Sequence, residues 1–68
     1  MPNITLLNEE ITKRGLTISG LADSIGINKS TFYRKLKSGG SNFLLWEIES
    51  IAKELGLTKQ VVIEIFLP

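Results

Sequence analysis

The stretch Thr17–Leu36, TISGLADSIGINKSTFYRKL, constrains the fold of this chain more than any other. Ile18, Leu21, Ala22 and Ile25 recur at helical spacing, and Gly26 ends that helix, since glycine enters the left-handed conformation that closes one. Asn28 is a strong N-cap, so a second helix can start at Lys29. Phe32 and Leu36 lie four apart on one face of it. The other face carries Lys29, Ser30, Tyr33, Arg34 and Lys37. An apolar inner stripe with a basic, hydroxyl-rich outer stripe suits a DNA major groove. Without that context the outer stripe would be a solvated helix face with one half-buried tyrosine.

Length and composition remove many other functions. The 68 residues make one domain, 1–68, and a chain this short buries only about 60% of its unfolded surface. It has no cysteine and no histidine. Disulfides, thiolate nucleophiles, imidazole bases and the usual zinc ligands are therefore excluded, and no metal or cofactor is expected. The seven carboxylates form no recognisable catalytic pair and no phosphate-loop pattern occurs, so an enzyme is not expected. No small-molecule ligand is evident. No apolar run approaches the roughly 20 residues of a membrane span. The start, MPNITLLNEE, lacks a signal-peptide shape, and the reading is cytoplasmic.

The net charge of +1 hides an asymmetry. From Thr12 to Lys37 there are six basic residues against Asp23 alone, a balance of +5, and the rest of the chain carries −4. Such a division suggests one face meeting an anionic partner, or simply two solvated faces of opposite sign.

The remaining segments read as helices too. Asn3 can cap a first helix over Ile4–Lys13, with Ile4, Leu7 and Ile11 inside and Leu6 either adding to that stripe or exposed. Arg14-Gly15 ends it, Leu16 is expected to be a buried anchor, and Thr17 caps helix two. Lys37–Asn42 is the only flexible run and joins helix three to helix four. Helix four spans Leu45–Leu55 with Leu45, Ile48, Ile51, Ala52 and Leu55 inside and Gly56 as its stop. Thr58 caps helix five, which fills most of Lys59–Leu67. Phe43 is expected in the core. The class is all-α with five helices.

Two segments carry a resemblance. L-A-x-x-I-G-I-x-x-S-T-F, Leu21 to Phe32, resembles the helix-turn-helix of the phage repressor and Cro family. F-x-L-x-E-I-x-x-I-A-K-x-L-G-L, Phe43 to Leu57, is similar to that family's fourth helix. The resemblance covers nearly the whole chain and implies a lambda-repressor-like five-helix DNA-binding domain. In it Ala22 would sit at the close crossing of helices two and three, Gly26 at the turn, and Ile25, Ile27 and Phe32 at buried positions. The chain departs from the family at Ile18, where a phosphate-binding glutamine is usual, and at Leu44, where a capping hydroxyl is usual. Backbone amides at those helix starts can still meet phosphate.

The implied function is a sequence-specific transcriptional regulator of a bacterial host. It would insert helix three into the major groove of an operator in double-stranded DNA. Lys29, Ser30, Tyr33, Arg34 and Lys37 would read bases. Phosphate contacts would come from Thr17, Ser19 and Asn28 at the helix starts, from Lys13 and Arg14, from Ser41 and Asn42 in the loop, and from Lys35 if it is not merely solvated. The loop is otherwise a plain connector. Leu44, Trp46, Val61, Ile65 and Leu67 are surplus to the core stripes, and helix five is apolar nearly all round. A homodimer interface is expected there, with a tail folded back over the core as the alternative. The ending just after helix five suits a complete Cro-like protein, although a repressor fragment remains open. The alternative function is a protein-interaction module or antirepressor on the same fold.

Overall fold

A computed structural model describes residues 1–68 and is all-helical. It contains α1 (Ile4–Lys13), α2 (Ile18–Ile25), α3 (Lys29–Lys37), α4 (Leu45–Leu55) and α5 (Lys59–Phe66). The expected five-helix architecture is the one observed. No helix is long and apolar enough to cross a membrane.

One turn chemistry joins the helices at three places: Gly15-Leu16-Thr17, Gly26-Ile27-Asn28 and Gly56-Leu57-Thr58. Each glycine is left-handed, with φ of 71°, 76° and 64°. Each following apolar residue donates its amide to the carbonyl five residues back, at 3.2 Å (Leu16 to Ile11), 3.0 Å (Ile27 to Ala22) and 2.9 Å (Leu57 to Ala52). This satisfies the orphan carbonyls of the ending helix. The third residue then caps the next helix. Thr17 Oγ1 accepts from Gly20 N, Asn28 Oδ1 from Ser30 N and Thr31 N, and Thr58 Oγ1 from Val61 N.

The core joins Leu7 and Ile11 of α1, Leu21 and Ala22 of α2, Phe32 and Leu36 of α3, Ile51 and Leu55 of α4, and Ile65 and Phe66 of α5, with Ile27 and Phe43 from the connections. Phe32, Phe43 and Phe66 form an edge-to-face chain, with ring centroids 5.5 Å and 6.0 Å apart, the arrangement the ring quadrupoles prefer. Helix α2 packs on α3 and α4, and α1 packs on α5. The amide of Asn3 donates to the Ile65 carbonyl at 2.6 Å, tying the chain's two ends together.

Four expectations are corrected. Leu16 is 39% exposed rather than a buried anchor; the glycine and the backbone bond hold that turn without burial. Leu45 is 72% exposed, because the covered side of α4 is centred on Ile51 and Leu55. Ile65 is completely buried within its own chain and is a core residue, not a contact surface. Val61, half-buried, packs against that core. The run Lys37–Asn42 is not simply flexible. Gly39 and Gly40 donate their amides to Leu36 and Lys35, at 3.0 and 2.9 Å. Gly40 is buried at φ 81°, and a Cβ there would lie 2.6 Å from Ile4 Cδ1.

Candidate nucleic-acid interface

Helix α3 is oriented by its apolar side. Burial of Phe32 and Leu36 against the core turns Lys29, Ser30, Tyr33, Arg34 and Lys37 outward, and all five are exposed. The helix carries no acidic residue, and three of its four basic side chains, Arg34, Lys35 and Lys37, occupy the last turn, where cations complement the helix dipole. The expected base-reading set therefore shares one open face. Arg34 is held only by a long bond, Nη2 to Thr31 Oγ1 at 3.4 Å. Lys29 Nζ lies 3.3 Å from Asp23 Oδ2 in a largely exposed pair.

The expected phosphate ligands divide into two groups. Ser41 and Asn42 are exposed on the α3–α4 connection, and Thr17 is exposed at the start of α2 with its hydroxyl already capping. Asn28 caps α3 through its oxygen, which leaves its amide N–H groups as donors. Ser19 is half-buried. The basic members each pair with an acid of the chain. Arg14 Nη1 donates to both the carboxylate and the carbonyl of Glu10, at 2.6 and 3.1 Å. Lys13 lies 3.5 Å from the other oxygen of that carboxylate but remains well exposed. Lys35 turns inward onto Glu47 at 2.5 Å, with its side chain 17% exposed and that of Glu47 4%. Lys35 is thus half-buried and paired rather than freely solvated. The glycine amides of the loop are likewise taken up by α3.

These pairs redistribute the charge counted along the chain. Glu10 and Glu47 lie outside Thr12–Lys37 in sequence but neutralise that segment in space. The Arg14 hydrogen bond, assisted by Lys13, holds the Glu10 carboxyl below the usual range despite its partial desolvation. The positions of Glu10, three and four residues before Lys13 and Arg14, were a local signal for the first cluster. Glu47 stands at the third position of α4, where an acid can reach back to the cap. Nothing local links it to Lys35.

The apolar residues also separate. Leu44, Trp46 and Leu67 are exposed as expected. Two adjoining hollows lie between α4 and α5, and both are floored by Ile48 and Val62 and bordered by Leu45. Leu67 borders one and Ile63 the other; Leu44 and Trp46 border neither. Leu45 and Ile63 were not expected on this surface. Comparison with protein-family models, with characterised proteins and with solved structures gives no match.

Proposed function

We propose that this protein is a sequence-specific double-stranded DNA-binding regulator that presents α3 to the major groove. The single observation carrying the reading is the α3 face: two cations, a tyrosine, a serine and a further lysine, all open to solvent on an acid-free helix. Arg34 and Lys29 would donate to guanine edges, Ser30 to several bases, and Tyr33 would meet a thymine methyl or a phosphate. The α2–α3 turn and the repressor-like residues of Leu21–Phe32 and Phe43–Leu57 support it. Ser41, Asn42 and the helix starts would meet the backbone.

The same proposal includes a two-fold dimer, at least on DNA, through the α4–α5 hollows rather than through Ile65. Leu45, Ile63 and Leu67 would supply the apolar centre. Glu49 and Lys59 both border one hollow, so a two-fold axis can bring Glu49 of one copy opposite Lys59 of the other, and the reverse. The two α3 helices would then sit about 34 Å apart on a near-palindromic site.

Selection of bound duplexes from a random library tests the reading. It should yield a defined site, on which Arg34→Ala loses about 1–3 kcal/mol and loses less on random duplex. Equal losses would reduce Arg34 to a phosphate contact. No retardation of any duplex at low salt would favour the protein-interaction alternative.

A further inference from the structure

Helix α4 begins with an anomaly. Its N-cap is Leu44, which has no side-chain acceptor and makes no capping bond. Only the reciprocal half of a capping box is present: Glu47 Oε1 accepts the Leu44 amide at 2.8 Å. The same oxygen accepts Lys35 Nζ from α3. Lys35 also stands 5.9 Å from the Phe43 ring centre, and its carbonyl accepts from Gly40 N and Ser38 Oγ. One residue of α3 thus closes both ends of the connection to α4.

The geometry of this node differs from that of the rest of the α3 attachment. Burial of Phe32 and Leu36 turns the polar face of α3 outward, but apolar contact is non-directional and does not by itself fix the fine rotation of the helix. A short charge-assisted bond from the half-buried Lys35 to the buried Glu47 is directional. Lys35 immediately follows Tyr33 and Arg34 on the helix, so its bearing on Glu47 fixes where those two side chains point. Buried ion pairs are weak contributors to stability, because desolvation offsets attraction, and apolar replacements are often neutral or better. At such a place registration is a use for the pair that stability does not supply.

We infer that Lys35 and Glu47 are a positioning pair that sets the rotation of α3, and with it the sequence discrimination of the exposed face. The inference rests on the DNA-binding reading. It assigns Lys35 no contact with DNA.

The test is the double variant Lys35→Met/Glu47→Gln, which leaves net charge unchanged and keeps an oxygen to cap Leu44. It is compared with wild type on the selected site and on random duplex. The expected result is a fold of undiminished thermal stability and unchanged random-duplex affinity. Discrimination between the selected site and random duplex should fall about tenfold, the cost of one mismatched base pair. Amide hydrogen exchange without DNA should quicken in α3 and stay unchanged in α1 and α2. An intact discrimination ratio overturns the inference. So does a uniform loss on both duplexes with a salt slope shallower by about 0.9, the signature of a phosphate contact. If wild type binds no duplex, the DNA reading fails by itself. Hydrogen exchange then decides the positioning claim alone: selective loosening of α3 supports it and unchanged exchange overturns it.

Discussion

Salt dependence separates the charge seen in the sequence from the charge the fold presents. Log affinity falls linearly with log salt, with a slope of about −0.9 for each phosphate neutralised. If all six basic side chains of Thr12–Lys37 met phosphate, one subunit would show a slope of about −5.4. In the folded chain Lys35 is half-buried and paired with Glu47, and Arg14 is held by two bonds to Glu10. Lys29 can exchange Asp23 for a phosphate, because that pair is largely exposed and such pairs are worth about 0–1 kcal/mol. Lys13 shares Glu10 with Arg14 and counts in part. Three or four cations remain, for a slope of about −2.7 to −3.6 per subunit. Between 50 and 200 mM salt the affinity of one subunit should then fall about 40- to 150-fold, against roughly 1,800-fold for six contacts. Fluorescence anisotropy of a labelled random duplex measures the slope, with stoichiometry set by sedimentation. A slope near −5.4 would mean that the internal pairs open on DNA, refuting the commitment of Arg14 and Lys35. A flat response would remove DNA as the partner.

Three further outcomes follow from particular contacts. Gly40→Ala adds to left-handed strain a contact with the tip of the Ile4 side chain and with Pro2 Cβ, whereas Gly26→Ala meets only the strain; because the Ile4 tip can swing aside, urea denaturation should show Gly40→Ala worse by no more than about 1 kcal/mol, and a much larger excess would mean that the backbone beneath α1 has to move. Glu10 titrates lower in the folded chain than in the unfolded one, where glutamate titrates near about 4.3, so its contribution is present above that pH and is lost as pH falls through the folded value. The stability gap between wild type and Glu10→Gln, from thermal melts across pH, should be constant at neutral pH and narrow on the acid side; a gap independent of pH would remove the Arg14 effect. Ile63→Lys should weaken dimerisation on the operator while leaving the monomer's melting temperature nearly unchanged, since Ile63 is exposed, and sedimentation showing an unaltered dimer would move the interface away from α4–α5.

Helix ends were legible because their chemistry is local. Thr17, Asn28 and Thr58 each cap within three residues of themselves, and Gly15, Gly26 and Gly56 each take a conformation other residues resist. The inner faces of α1 and α3 were legible for the same reason, since Leu7 with Ile11 and Phe32 with Leu36 repeat at one helical turn. The open α3 face followed directly from Phe32 and Leu36 pointing the other way. What the sequence could not decide was which side of an apolar helix is covered. Helix α5 has only eight residues, so Ile63 and Ile65 are equivalent by composition, and only packing against α1 buries one and exposes the other. Leu45 and Ile48 on α4 are divided in the same way. The charge partners were equally hidden, because Lys35 and Glu47 are brought together by the turn at Gly39-Gly40, and that turn depends on Gly40 fitting beneath Ile4. Periodicity along one chain gives faces; which face meets which, and which charges cancel, depends on distances that exist only after the helices have packed.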